Sequence, residues 1–580
     1  MVILGLSEGG GYDPGAALVV NGRIVAAAEE ERFNRIKHSN YLQPEMAARW
    51  CLEFANLKPS DVQVVACPFI KTSLLRSPAR WRFAARNWQT PGRLLAAILD
   101  GNRHCRQNFQ NLRDMLPRIG VDPAAIRLMP FEPHLARAAS AFYGSGYGRA
   151  AVMSLHGNNE YVATWLGYGD ETGLHPIREW YSPDSLGDFY GTIAEYLGFE
   201  MPDDGLKISA MAAHGNPDKW DISPCLRWSN GDFRVNDRLV NVAGTRRYRN
   251  EQGRDCSFSP ELVELWGPPR LADGADESYA NAAAAAQRAL EEAALSLARH
   301  YLAGKIAETN RLCLAGGVAF NAQLNRRLAR EAGAKEMFVP PAAGACGTAL
   351  GAAMLAAASV GDKVEPLGHA SLGPCYSDGQ VRAALEKHRV PFEQPASIID
   401  AAAALLARGE PVAWFQGRME LGPRALGNRS VLGNPVVPGI ARRLSAQLGH
   451  PKRWHPFNLS VLDWAAPEVL QPPHPSPWMA FSFEVTAPWR DRVADIIQAD
   501  GVARAQIVSE RTQPRLYELM RQFYALTGVP VLLNAPFNRQ GEPLVCSPDD
   551  ALTVFFGSDV QYLVMENLLV RKAAAEFRRT

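Results

Sequence analysis

Short apolar runs separated by glycine-rich and polar turns organise the start of the chain. Residues 2–6 (VILGL) form one run, a turn from Gly9 to Gly15 follows, and Ala16 to Val20 form a second run. Asn21-Gly22 divides that run from a third, Arg23 to Ala28, a strong hairpin signal. The pattern predicts an antiparallel meander whose first loop carries one carboxylate, Asp13. A related pattern returns at 150–169, where AAVMSL, the polar turn HGNNE and YVATWLGYG follow one another. Two such units predict a duplicated subdomain with a cleft between its halves.

Ala, Leu and Glu at i, i+4 spacing predict a helix over 279–300, leading to a strand at 312–315. That strand breaks at Gly316-Gly317 and opens a helix from Asn321 to Leu328. Glycines that admit close approach, next to a helix N-terminus with free N–H groups, suit an anion or nucleotide. A second glycine-rich turn, 342–347, precedes a helix to about residue 358. Residues 359–377 are rich in Gly, Pro and Ser without a period and read as a linker. The expected division is therefore 1–358, the linker 359–377, and a C-terminal domain 378–580 that opens with helices at 379–388 and about 400.

Composition narrows the function classes. With 580 residues, 47% hydrophobic and 21% charged, the chain is an ordinary globular one, and its length suggests about three domains. Lys plus Arg number 61 against 60 Asp plus Glu, which argues against a polyanion-coating protein. The alternation of basic and aromatic residues at 69–93 reads as a helical contact surface, not a nucleic-acid face. Apolar stretches stop at core-strand length, and the start lacks a basic leader, so no membrane association is expected. The nine cysteines are scattered singly with no CxxC, as buried thiols in a reducing cytoplasm would be.

The densest polar string is GRMELGPRALGNRSVLGNP, residues 417–435. Arg418, Arg424 and Arg429, with Glu420 and Asn428, alternate with Gly and Pro. Forked guanidinium donors suit phosphate or carboxylate oxygens. Later, the apolar strand of VPVLLNAPFNRQGEPLVCSP delivers Asn534 and Asn538, amides suited to neutral polar groups. Together the two strings point to one pocket for a phosphate-bearing ligand.

These strings, with LAGGVAFNAQL, HLARAASAFYGSG and IVAAAEEERFNRIKH, resemble the O-carbamoyltransferase family of antibiotic and nodulation-factor biosynthesis. The resemblance implies an α/β fold: a duplicated actin-like domain akin to the tRNA threonylcarbamoyl transferases, then a YrdC-like domain. In such enzymes the C-terminal domain makes carbamoyladenylate from ATP and carbamoyl phosphate. The N-terminal domain passes the carbamoyl group to a hydroxyl with help from an iron-type cation.

At the chemistry the chain departs from that pattern. The positions of the family's metal ligands are Pro133, Arg137, His156 and Ala345, with His134 between the first two. Three of the four supply no ligand atom, so no metal is expected, and Arg137 would take the cation's place electrostatically. Tyr12 replaces a histidine before Asp13. Gly449 and His455 stand where relatives have lysine and arginine, with Lys452 and Arg453 nearby, and Pro536 replaces a serine.

The expectation is a divergent member of the family in small-molecule biosynthesis, cytoplasmic, using ATP or an adenylate for transfer or coupling of a carbamoyl- or acyl-type group. Arg418, Glu420, Arg424, Asn428, Arg429, Asn534 and Asn538, with Gly316, Gly317 and Asn321, would bind nucleotide or phosphate. Asp13, His38, His134 and His156 are the acid/base candidates in the N-terminal cleft, His156 foremost because imidazole titrates near neutrality. The expected partners are a small-molecule substrate and a nucleotide, with a homodimer left open. The alternative is a catalytically silent homologue serving as scaffold or regulatory partner of an active enzyme.

Overall fold

The computed structural model describes residues 1–7, 13–70, 81, 85, 103–157, 162–199, 207–240, 247–250, 253–271, 277–449 and 457–572. Strands β1 (Val2–Leu6), β2 (Gly15–Val20) and β3 (Arg23–Glu29) come first, as the apolar runs indicate. With β4 (Val64–Cys67) and β5 (Arg127–Pro130) they form a sheet of order β3-β2-β1-β4-β5. Next come β6 (Ala150–Leu155), β7 (Val162–Asp170), β8 (Gly173–Tyr181) and a hairpin of β9 (Leu226–Ser229) and β10 (Asp232–Val235). With β11 (Arg311–Ala315) and β12 (Glu336–Phe338), strands β6 to β8 make a second sheet of order β12-β11-β6-β7-β8.

The two sheets share one plan: three consecutive strands, then one that returns by crossover to pair in parallel with the first, and another that pairs in parallel with that one. The two sheets therefore repeat one topology, the duplication that the two strand–turn–strand patterns indicate. The turn after β7 is followed directly by β8, a third meander strand that the sequence pattern did not resolve. The long Ala-rich helix is present as Glu277–Leu297, and its Ala-lined face is buried. Helix Gly347–Ser359 crosses helix Pro133–Ser145 at Gly351, where a Cβ would lie 1.8 Å from the Ala136 carbonyl. That backbone approach fixes the helix bearing His134 and Arg137.

A nine-stranded mixed sheet holds the rest of the α/β structure. Its strands are β13 (Val412–Phe415), β14 (Arg429–Gly433), β15 (Asn458–Leu462), β16 (Leu470–Gln471), β17 (Phe481–Val485), β18 (Val502–Val508), β19 (Val531–Pro536), β20 (Tyr562–Met565) and β21 (Leu568–Arg571). Their order is β16-β17-β18-β15-β19-β14-β13-β20-β21.

The chain divides into two compact units, one of Met1–Gly10, Val19–Arg23 and Lys58–Pro366, the other of Gly11–Leu18, Ile24–Leu57 and Leu367–Thr580. Residues 24–57 thus pack with the C-terminal half of the chain. Much of the basic and aromatic stretch at 69–93 lies outside the described residues. No described helix is long and apolar enough to cross a membrane.

Candidate functional site

In the second unit, three of the sequence strings meet around one small core of Met419, Ala425, Leu544 and Cys546, with Phe33 packed against it. Buried ion pairs and backbone bonds tie them. Arg32 reaches Glu29 (3.3 Å) and Glu31 (3.0 Å) and donates to the Gly422 carbonyl at 2.9 Å. Glu29 in turn accepts the Gly422 N–H at 2.7 Å. Arg35 donates to the Pro543 carbonyl at 2.9 Å.

Within the arginine string, satisfaction differs from residue to residue. Arg429 is fully buried, lies 3.6 Å from the Phe415 ring centre, and donates to the carbonyls of Gln416, Asn428, Pro374 and Gly417 at 2.9–3.2 Å. Arg418 donates to the carbonyls of Val25, Leu372 and Gly373. Glu420 Oε1 accepts the N–H groups of Leu426, Asn428 and Arg429, holding the loop closed. Asn428 Nδ2 donates to Ser371 Oγ at 2.7 Å, and Asn538 Nδ2 to the Glu542 carbonyl at 2.7 Å. These groups brace loops, while Glu420 Oε2 and Arg429 Nε are buried without a partner among the described residues.

Arg424 is different. Its Nη2 is buried without a hydrogen-bond partner among the described residues. Burial first, and then the neighbouring charge of Arg504, push its cation well below the ordinary arginine range. Arg504, on β18 and 5% exposed, is pushed down to about 10 by burial, and its Nε is likewise unmet. Two like charges so placed are stabilised by an anion. Arg504 escaped the sequence reading, although its alternation with Gln506 in the apolar run VARAQIV marks one polar face of a strand. Asn534 is fully buried on β19 and bonds Ser460 and Gln506.

The same unit holds an acid–imidazole pair. His38 Nδ1 stands 2.6 Å from Asp13 Oδ1, the Asp13 N–H donates to the His38 carbonyl at 3.0 Å, and the His38 N–H donates to Glu31 Oε2 at 2.6 Å. Asp13 (φ 55°) and His38 (φ 63°) are both in the left-handed region, which non-glycine residues adopt at a cost that clusters at functional sites. Burial alone would raise the Glu31 carboxyl, but Arg32 and Lys37 hold it below the ordinary carboxylate value.

In the first unit, His134 and His156 lie with ring centres 6.4 Å apart, beside buried Arg137. His134 Nδ1 is 3.1 Å from Ser154 Oγ, and His156 Nδ1 accepts the Gly317 N–H at 2.7 Å. Burial and then the Arg137 charge push His134 down to about 3 and His156 well below its ordinary value. Both rings are therefore neutral at pH 7, which corrects the expectation that His156 titrates near neutrality. The two glycine N–H groups are taken up within the protein: Gly316 donates to the Ala343 carbonyl at 2.8 Å and Gly317 to His156. Asn321 caps helix Ala322–Glu331 through the Leu324 N–H and bonds Gln287.

Family models describing the carbamoyltransferase N-terminus and C-terminus match residues 2–354 and 403–572. The chain belongs to the carbamoyltransferase family. Nodulation protein NolNO of Sinorhizobium fredii is 32% identical over 575 residues, spanning 97% of this chain and 79% of its own. An uncharacterized protein of Synechocystis is 32% identical over 604 residues, spanning 97% and 95%. The solved HypF of T. kodakarensis overlaps 62% of this chain and 48% of its own at TM-score 0.30 and 10% identity.

In this carbamoyltransferase the four acid/base candidates do not share one unit. Asp13 and His38 fall in the second, His134 and His156 in the first. Tyr12, Lys452, Arg453 and His455 lie outside the described residues. The iron-type cation implied by the family does not fit the residues present. Pro133 and Ala345 offer no ligand atom, a buried guanidinium lies beside both imidazoles, and the His156 Nδ1 lone pair is spent on a backbone N–H. Asp13, Glu31 and His38 place ligand-type atoms within 4.8 Å of one another. There Glu31 already faces Arg32 at 3.0 Å and Lys37 at 3.8 Å, so its charge is taken up.

Proposed function

We propose that this carbamoyltransferase moves a carbamoyl-type group from a phosphate-activated donor to the hydroxyl of a small molecule, without a metal. The buried Arg424–Arg504 pair carries the reading, because two neighbouring guanidinium groups with no carboxylate partner among the described residues ask for an oxyanion. Carbamoyl phosphate, and ATP or the adenylate formed from it, present that group. Relatives named for nodulation support a place in small-molecule biosynthesis.

His38 takes the proton of the acceptor hydroxyl as its oxygen attacks the carbonyl carbon. Asp13, hydrogen-bonded at Nδ1, steadies the imidazolium so formed. The bond from the carbonyl carbon to the phosphate oxygen breaks, and the phosphate or adenylate leaves with its charge. Calorimetric titration with carbamoyl phosphate and with ATP tests the reading: binding that disappears in Arg424→Gln supports it. Absence of heat with either ligand would favour the silent scaffold.

A further inference from the structure

His38 meets Asp13 from a turn that a non-glycine residue resists. His38 has φ 63° and ψ −12°, and Ser39 after it has φ 43°, so two consecutive residues occupy the left-handed region. Such a turn persists only where its surroundings over-determine it. Asn34 Oδ1 accepts the Ile36 N–H at 2.9 Å and the Ser39 hydroxyl at 3.0 Å, which fixes the two flanks of the turn. At its centre the His38 N–H donates to Glu31 Oε2 at 2.6 Å, and the His38 carbonyl accepts the Asp13 N–H at 3.0 Å. With the main chain held on both sides, Nδ1 comes to 2.6 Å from Asp13 Oδ1.

Glu31 is itself held in place. It is buried, and its other oxygen lies 3.0 Å from Arg32 Nη1. Arg32 also reaches Glu29 at 3.3 Å, and the two grip Gly422 by both of its main-chain groups. Arg32 donates to the Gly422 carbonyl at 2.9 Å, and Glu29 accepts the Gly422 N–H at 2.7 Å. Buried ion pairs add little net stability over apolar residues of the same volume, so three such charges are better read as fixing geometry. The geometry they fix is that of the Glu31 carboxylate, whose short bond to the His38 N–H is of the charge-assisted kind.

We propose that Glu31 is the positioning residue of the acid–imidazole pair: by holding the His38 N–H it keeps the ring on Asp13. This rests on the proton-transfer role proposed above for His38. A carboxylate only accepts, so Nδ1 carries the proton shared with Asp13. Proton spectra of the full chain should therefore show a downfield resonance that disappears in Asp13→Asn. Glu31→Leu, shown folded by its melting curve, should lose that resonance, and Glu31→Gln, which keeps an acceptor oxygen, should retain it. A counter-ion for Arg32 alone would not be restored by the neutral amide. In Glu31→Leu, kcat for phosphate release from carbamoyl phosphate, with water as acceptor, should fall about 10–100-fold while KM stays within about twofold. A resonance that persists in Glu31→Leu overturns the inference and leaves the pair standing, and its absence from the wild type overturns both. Loss of the resonance with kcat unchanged supports Glu31 as the positioner and removes His38 from the reaction. Where Glu31→Leu does not fold, the wild type decides: its His38 amide should exchange with solvent at least about a hundredfold more slowly than an unstructured one. Exchange at the unstructured rate overturns the inference.

Discussion

His156 accepts the Gly317 N–H at Nδ1, 2.7 Å away, so the one proton of the neutral ring resides on Nε2. An imidazole held this way has no lone pair left for a cation and is a hydrogen-bond donor, not a base. Nitrogen-15 spectra of His156 should show that single tautomer unchanged from pH 5.5 to 8.5. A proton on Nδ1, or titration within that range, would contradict it.

Metal content follows from the same contact. The purified chain, incubated with ferrous or zinc ions and then desalted, should retain well under one equivalent. Stoichiometric retention that disappears in His156→Ala would restore the family's cation to this site.

The neutral histidines also set a pH dependence. His134 is pushed down to about 3 in the fold, against about 6.5 unfolded. Its contribution is complete above pH 6.5 and declines as pH falls from 6.5 toward 3, because the unfolded state then binds a proton that the fold refuses. The slope approaches about 1.4 kcal/mol per pH unit within that window. Urea unfolding at pH 7.5, 6 and 5 should show a shallower loss in His134→Gln than in the wild type.

Glu30 works in the opposite sense. Its carboxylate accepts the Met46 and Ala47 N–H groups at 3.1 and 2.8 Å, at the start of helix Glu45–Phe54, yet burial pushes it up to about 7. A raised carboxyl favours folding at low pH and costs stability as pH rises from about 4.5 to 7. Glu30→Gln should therefore gain on the wild type between pH 5 and pH 8, read as a rising difference in melting temperature.

How much of this was legible in the sequence depends on the range of the interaction. The β1–β3 meander, its echo at β6 and β7, and the Ala-rich helices follow from local periodicity and turn residues, and they appear where the pattern placed them. The roles of the arginines do not follow, since Arg418, Arg424 and Arg429 look alike in a string of glycines. What separates them is carbonyl groups such as those of Val25 and Pro374, remote in the chain, which engage Arg418 and the terminal nitrogens of Arg429 and leave Arg424 Nη2 unmet among the described residues. His156 was misjudged for a related reason: burial and then Arg137 hold it neutral, and Arg137 on a helix and the Gly317 amide, 161 positions away, are brought to it only by the fold.

The acid–imidazole pair makes a kinetic claim. Asp13→Asn should lower the transfer rate by about 10²–10⁴-fold while leaving carbamoyl phosphate affinity within about twofold, as expected of a group that orients a base. Equal loss of binding and rate would instead assign Asp13 to holding the loop.

Arg424 and Arg429 should respond in opposite ways. Arg429→Lys loses most of a four-carbonyl clasp and should destabilise by about 3 kcal/mol or more. Arg424→Gln removes a buried cation that faces another, so its melting temperature should hold or rise. The decisive measurement joins that melting curve to a calorimetric titration of Arg424→Gln with carbamoyl phosphate. An unchanged or higher melting temperature with binding abolished is the result expected of an oxyanion site. A destabilised variant that still binds like the wild type would contradict it.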